Sequence, residues 1–437
     1  MIFCDLELIV IFHLNHLTMA NSTLSDIKPS SAPFHAMTKP IGPICNIGCE
    51  YCFYLEKENL FEATEKFRMS DELLETYVRN YIESHPRGAE INFAWQGGEP
   101  TLLGVAFFRK AVALEKKYGE GRKITNAFQT NGTLLNDEWC EFFKENEFLI
   151  GLSIDGPKEL HDTYRVTKNQ EGTFDKVMKG LDFLKKHEVP FNTLTCVNRV
   201  NSKHPLKVYR FLKSIGSEFM QFIPIVERRP DSKSEKLGLD LASPPVLDSH
   251  DEEDDPRFMP WSVKAKDYGD FLVQIFDRWL RKDVGKVYVQ LHDVAFGKWL
   301  GMKEGGICVF SETCGRAMAV EHDGKVYACD HFVYPEFEVG DLAEEPLSQI
   351  VDSDAMTKFG NDKKDLLPEY CKNCEVLFAC NGGCPKHRTE LTPDGEPGLN
   401  YLCAGYKQFF KHIDPAMREM AQLYKAGRPP AEIMKKK

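Results

Sequence analysis

Cys45-Asn46-Ile47-Gly48-Cys49-Glu50-Tyr51-Cys52 places three cysteines within eight residues, directly after the strand-like run Met37–Pro43. Three thiolates can hold three corners of a cubane iron–sulfur cluster and leave the fourth iron open to an exchangeable ligand. A structural zinc site, the alternative, wants four ligands. No fourth Cys or His lies close by in sequence.

Outward from this loop the chain alternates short apolar runs with amphipathic stretches. Further strand-like runs are Glu90–Trp95, Ile124–Gln129, Phe148–Ile154, Phe191–Val197 and Phe219–Ile225. Ser70 caps a helical pattern that carries Leu73, Leu74, Tyr77, Val78, Tyr81 and Ile82. Val105–Tyr118, Asp137–Asn146, Phe174–Lys186 and Pro205–Ser214 read as further helices. Six strands with five intervening helices predict a parallel α/β fold, either a partial barrel or an open sheet. Gly97-Gly98-Glu99-Pro100 follows the second strand. Gln129-Thr130-Asn131-Gly132 ends the third, and Ser153-Ile154-Asp155-Gly156 ends the fourth. C-terminal strand ends are where sites form in such sheets.

The chain holds 14 Cys among 437 residues. Cys308, Cys314 and Cys329 form a second group, and Cys371, Cys374, Cys380, Cys384 and Cys403 a third. Cys4, Cys140 and Cys196 stand alone and read as buried small hydrophobes. The early apolar run Leu8–Phe12 follows Asp5 and Glu7 with no preceding Lys or Arg, which is not a signal peptide. No run of about 18 apolar residues predicts a membrane helix. The expectation is a cytoplasmic protein, in which clustered Cys mean metal or catalysis rather than disulfides. Composition that is 42% apolar and 28% charged is globular and fits two or three domains. A net charge of −11 argues against a general nucleic-acid or anionic-membrane binder.

Residues 1–36 read as an N-terminal extension, disordered or, up to Met19, untranslated. Residues 37–226 form the core and 227–290 an acidic insertion, with Asp251–Asp255 in a surface loop, plus a linker helix at 263–282. Residues 291–410 are the Cys-rich domain, with so little apolar periodicity between 305 and 405 that metal must supply much of its stability. Residues 411–437 close the chain, part of an amphipathic helix over 406–424 and then a frayed basic tail.

The C-x₃-C-x₂-C loop and its neighbouring motifs resemble the radical S-adenosylmethionine (SAM) superfamily. The later cysteines resemble its SPASM extension. The full set is similar to the anaerobic sulfatase-maturating enzymes, on Cys52-Phe53-Tyr54, Gln96–Leu102, Phe128–Leu134, Gly151–Pro157 and Tyr327-Ala328-Cys329-Asp330. The resemblance implies a partial (β/α)6 barrel followed by a SPASM domain with two auxiliary iron–sulfur clusters. It implies SAM and three [4Fe–4S] clusters as cofactors. The first cluster would sit on Cys45, Cys49 and Cys52, the second on Cys308, Cys314, Cys329 and Cys384, and the third on Cys371, Cys374, Cys380 and Cys403. Spacing alone leaves that division of the last eight open, and leaves two zinc ribbons as the alternative.

The resemblance further implies SAM contacts at Tyr51, Gly98, Glu99, Ser153, Arg165 and Val226. Asp330 would be the base, and Gln96, Gln129 and His331 candidates for holding substrate. The activity implied is oxidation of a Cys or Ser of a sulfatase polypeptide to Cα-formylglycine. A 5′-deoxyadenosyl radical would remove the Cβ hydrogen, the auxiliary clusters would accept the second electron, and a flavodoxin or ferredoxin would be the donor. Two other readings stand beside it. One is a SPASM enzyme forming thioether or carbon–carbon bonds in another ribosomal peptide; the other is a non-enzymatic metal scaffold.

Overall fold

The alternation of strands and helices is realised through the core, with the expected bounds met to within one residue except at the first strand. In a computed structural model, which describes residues 27–62, 64–245, 257–302 and 306–436, six strands run in order: β1 His35–Lys39, β2 Ile91–Trp95, β3 Ile124–Thr130, β4 Leu149–Ser153, β5 Phe191–Val197 and β6 Phe219–Pro224. The helices between them are α1 Asp71–Glu83, α2 Val105–Tyr118, α3 Asp137–Glu145, α4 Phe174–Lys186 and α5 Pro205–Ser214. Each strand pairs in parallel with the next. Ser70 caps α1 by accepting from the Leu73 amide at 3.1 Å, and Leu74, Tyr77, Val78 and Tyr81 are fully buried against the sheet. β1 stops at Lys39 and not at Pro43. Pro40 lacks an amide hydrogen for the ladder, and the Gly42 amide turns back to the Lys39 carbonyl at 2.9 Å.

The sheet continues past these six strands at both edges. β7, Tyr288–Val289, adds in parallel beyond β6. On the other side β8, Ala317–Glu321, pairs in parallel with β1 along its whole length, and β9 Lys325–Tyr327 and β10 Glu338–Asp341 follow antiparallel. The result is one ten-stranded sheet in the order β10-β9-β8-β1-β2-β3-β4-β5-β6-β7. Part of the Cys-rich segment is therefore ordinary core, with more apolar burial than its weak periodicity suggests. Met318, Val320, Val326, Leu342, Leu347, Ile350 and Met356 are buried in the same cluster as Phe93, Trp95 and Phe128. A short strand covered on both faces shows no polar alternation, so its burial left no periodic trace.

Helix α6, Ala265–Lys282, and helix α7, Cys403–Lys425, cross where a Cβ on Gly269 would lie 2.8 Å from the Gly405 Cα. Helix α7 begins earlier than the apolar pattern suggests, at Cys403 itself. The tail is not frayed as far as it is described: Pro430–Lys436 form a turn whose Ile433 is fully buried.

Residues 227–245, expected as a surface loop, pack down on the core. Leu239, Leu241 and Ala242 are buried, and the Asp240 and Leu241 amides donate to the Glu56 carboxylate at 2.6 and 3.0 Å. Within the N-terminal extension, the Ser31 amide donates to Asp352 at 2.6 Å and Phe34 stacks on His85. Cys4, Leu8–Phe12 and Asp251–Asp255 lie outside the described residues. Among those described, no helix is long and apolar enough to cross a membrane.

Candidate active site

The first cysteine loop is clamped from two sides. On one side the Gly98 amide donates to the Gly42 carbonyl at 2.8 Å and the Glu99 amide to the Ile44 carbonyl at 2.9 Å. A Cβ on Gly98 would overlap the Ile44 carbonyl and sit 2.7 Å from the Pro43 oxygen, so only glycine lets the two turns meet. On the other side the Gly48 amide donates to the Val166 carbonyl at 2.8 Å and Glu50 to Tyr164 at 3.1 Å. The clamp gathers Cys45, Cys49 and Cys52 close enough to influence one another's ionisation. Burial, then the nearby Glu99 carboxylate, pushes the Cys45 thiol up to about 12. Such a thiol stays protonated unless a metal ion takes the proton's place.

The expected SAM contacts lie at the strand ends around this loop. Glu99 is buried, and its carboxylate accepts from the Thr101 hydroxyl at 2.6 Å, the Thr130 hydroxyl at 2.8 Å and the Asn131 amide at 2.8 Å. Ser153, at the end of β4, accepts from Gln129 at 2.9 Å. Arg165, just past the short helix Lys158–His161, lies with its Nε 3.0 Å from Asp155. Asp155 also accepts from the Tyr51 hydroxyl and from the Cys196 amide at 3.0 Å. Val226 is buried two residues after β6. Sequence reading quoted Asp155 without a role; here it is the buried hub that joins Tyr51, Arg165 and β5. Cys196 departs from its expected role as a simple core residue, since its sulfur lies 3.6 Å from the Arg165 guanidinium. Cys140 is buried among aromatic rings as expected.

Asp330 is tied to β1 through Lys39, the residue that the β1–β8 pairing opposes to Glu321. Lys39 Nζ lies 2.5 Å from Asp330 Oδ1 and 3.7 Å above the centre of the Tyr54 ring. Tyr54 donates to Glu321 at 2.5 Å. Burial would raise the Asp330 pKa, but attraction to Lys39 and then His331 outweighs it, and the carboxyl is held below its ordinary value. Lys39 also acts on Cys52, which ties Asp330 to the first thiol group. His331 faces Cys384 at 3.8 Å, and burial, then Lys386, lowers its pKa to about 4. Lys386 forms a buried ion pair with Glu227 at 2.6 Å. Lys39 and Lys386 were missed from sequence; a lysine closing a strand just before Pro40 was the available signal for the first.

The remaining eight cysteines fall into two sets. Cys308, Cys314, Cys329 and Cys384 lie within electrostatic reach of one another. Cys371, Cys374, Cys380 and Cys403 line one pocket with Tyr370, Leu399 and Asn400. All thirteen described cysteines are free. Among the described residues no three His, Cys, Asp or Glu side chains close on a point as ligands of a single metal ion would. The donor set suits iron–sulfur clusters, which are held by thiolates with one per iron. The surroundings fit as well. Lys363 and Arg388 are buried beside these thiols, as cations beside an anionic centre should be.

The chain matches the Radical SAM superfamily over residues 40–212 and the SPASM iron–sulfur cluster-binding domain over residues 308–375. It is 46% identical to a serine-type anaerobic sulfatase-maturating enzyme of Bacteroides thetaiotaomicron, over 93% of this chain and 96% of that one. It is 34% identical to a cysteine-type enzyme of Clostridium novyi, over 86% and 94%. Its fold superposes on anSMEcpe with bound AdoMet and Cp18Cys peptide at a TM-score of 0.76 and 31% identity, covering 90% of this chain and 99% of that one. Fold, thiol loop and matches define a radical SAM enzyme with a SPASM domain, which implies a [4Fe–4S] cluster and SAM. Within that class the chain belongs to the anaerobic sulfatase-maturating enzymes.

Proposed function

We propose that this enzyme oxidises a Ser or Cys side chain of a sulfatase polypeptide to Cα-formylglycine. Cys45, Cys49 and Cys52 would hold the cluster that binds SAM, with Tyr51, Gly98, Glu99, Ser153, Arg165 and Val226 around the cofactor. Cys308, Cys314, Cys329 and Cys384 would hold one auxiliary [4Fe–4S] cluster, and Cys371, Cys374, Cys380 and Cys403 the other. The bound cofactors would supply a 5′-deoxyadenosyl radical for the Cβ hydrogen and a sink for the second electron.

The observation that carries this reading is the placement of Asp330. Its carboxylate is pinned by Lys39, which also acts on Cys52, and is joined by the backbone to Cys329. It is ionised and therefore ready to accept the thiol or hydroxyl proton. Its depressed pKa makes it a weak base at rest. The proton moves most readily as the substrate loses its electron and becomes more acidic, or as substrate displaces Lys39. Glu99, buried and saturated with donors on one oxygen, keeps a lone pair of Oε2 for an ammonium group. Asp155 pairs with Arg165 at its Nε and Cys196 takes one outer nitrogen, which leaves the other outer nitrogen to meet a carboxylate.

We infer a cytoplasmic enzyme whose electron donor is a flavodoxin- or ferredoxin-type protein. The test is anaerobic incubation with SAM, reductant and a sulfatase-like peptide of roughly 20 residues, enough to fill an extended site. Mass spectrometry should find an aldehyde at the target residue. A Ser peptide comes first, given the higher identity to the serine-type relative. A thioether or carbon–carbon crosslink instead would point to the other peptide-modifying reading.

A further inference from the structure

Lys363 lies on the helix Asp354–Asp365 and is 1% exposed. Its helix neighbours Lys358 and Lys364 pair with carboxylates at the surface, Asp362 and Glu312. Lys363 turns inward. Its Nζ donates to three carbonyl oxygens of one turn: Cys308 at 2.7 Å, Val309 at 3.0 Å, and Ser311. Three acceptors around one nitrogen match the three hydrogens of an ammonium, although burial lowers the lysine's pKa. The titratable groups it faces are the thiols of Cys314, Cys384 and Cys308, together with the Arg388 guanidinium. Arg388 is 2% exposed and bonded to the Gly382 and Asn381 carbonyls, both at 3.3 Å. It faces Cys371 and Cys380 of one thiol set and Cys384 and Cys314 of the other.

Two cations are thus buried with carbonyls for hydrogen-bond partners and, around them, thiols that burial keeps protonated. Without an anion this arrangement is strongly unfavourable. A four-thiolate [4Fe–4S] centre supplies one, with a net charge of about −2 oxidised and −3 reduced. A fixed positive charge in a water-excluded site favours the more negative state.

We propose that Lys363, seconded by Arg388, is the built-in counter-charge of the auxiliary clusters and raises their affinity for an electron. This rests on Cys308, Cys314, Cys329 and Cys384 being ligands of one cluster. The device equips that cluster, whose ligand Cys329 adjoins Asp330, to take the electron leaving the substrate. Arg388, facing both thiol sets, lowers the cost of sharing it with the second cluster. Lys363 is a positioning residue and touches no substrate.

The experiment compares wild type, Lys363→Gln and Lys363→Arg as reconstituted holoenzymes. Lys363→Gln keeps amide donors and removes the charge; Lys363→Arg keeps the charge. The readouts are iron and sulfide content and EPR-monitored potentiometry of the auxiliary signals, neither of which needs turnover. Lys363→Gln should hold full iron and lower the electron affinity of one auxiliary cluster by roughly tenfold, about 59 mV for one electron. Lys363→Arg should recover most of that loss. Loss of iron in Lys363→Gln but not in Lys363→Arg supports the same assignment, because the two differ in charge. Full iron with wild-type potentials in Lys363→Gln overturns it, as does equal iron loss in both variants. Wild-type protein that never binds iron at this thiol set would instead refute the ligand reading beneath it.

Discussion

Replacing Gly98 by Ala adds a single methyl group where the cluster loop and the strand-end turn touch. The new carbon would fall inside the contact radius of the Ile44 carbonyl and 2.7 Å from the Pro43 oxygen. Ordinary carbon contacts begin near 3.5 Å, and the Ile44 oxygen would lie at 1.9 Å, so the loop must retreat by about 1.6 Å. The strand end cannot yield as easily, because the neighbouring Trp95 is fully buried in the core. Retreat weakens two backbone hydrogen bonds, Gly98 to Gly42 and Glu99 to Ile44, each worth about 1 kcal/mol. Overpacking adds about 1–3 kcal/mol. The sum, about 3–5 kcal/mol, corresponds to a fall of roughly 5–8 °C in apparent Tm for a unit of about 300 residues. The larger effect is on chemistry. A displacement of about 1 Å in a positioned group costs on the order of 10²-fold. Gly98→Ala should therefore fold, keep its auxiliary iron, and cleave SAM to 5′-deoxyadenosine on the order of 10² times more slowly. The assays are thermal unfolding, iron analysis and chromatographic quantitation of 5′-deoxyadenosine. Cleavage within a few-fold of wild type would refute the argument that close backbone approach is what glycine provides here.

Three more outcomes are expected. The wild-type holoenzyme should bind about 12 iron per chain, and the triple Ala variant of Cys45, Cys49 and Cys52 about 8, with SAM cleavage abolished; Mössbauer spectroscopy and iron analysis check the counts. Asp330→Asn should still form 5′-deoxyadenosine, yet lose formylglycine on the order of 10²-fold or more by mass spectrometry, the scale of a positioned base; if product stays within a few-fold, His331 becomes the next candidate. Glu115, buried on α2 and accepting from Asn126 at 2.8 Å, has its pKa raised by burial to about 7. It contributes stability below its ordinary pKa that disappears as pH rises through 7, roughly 3 kcal/mol in all; chemical denaturation across that range should show the slope in wild type and its flattening in Glu115→Gln.

What the sequence disclosed and what it concealed divide along a physical line. Features made by neighbours in sequence were readable: the C-x₃-C-x₂-C loop, the cap at Ser70, the amphipathic stripe of α1, and the Gly97-Gly98 turn. Features made by distant segments were not. Ala317–Glu321 is five residues long and buried on both faces, and nothing local says that it lies against His35–Lys39. The Lys39–Asp330 pair follows from that pairing alone, so it was equally hidden. The hub at Asp155 needs β5 beside β4 and the cluster loop above them. The inward turn of Lys363 is likewise invisible beside Lys358 and Lys364, which have the same composition and the opposite fate.

The position of β1 has a consequence for how the chain is made. This strand carries the first cysteine loop at its end, yet its partner β8 is synthesised about 280 residues later, which at ribosomal rates is an interval on the order of half a minute. Until then one side of β1 is an open edge of unpaired amides and carbonyls, a template for pairing with another nascent chain. Completion of the sheet at the first cysteine loop thus waits on arrival of the segment that carries Cys329. Conditions that slow translation between them should favour insoluble protein, whereas a chaperone that shields the edge of β1 should favour the native sheet.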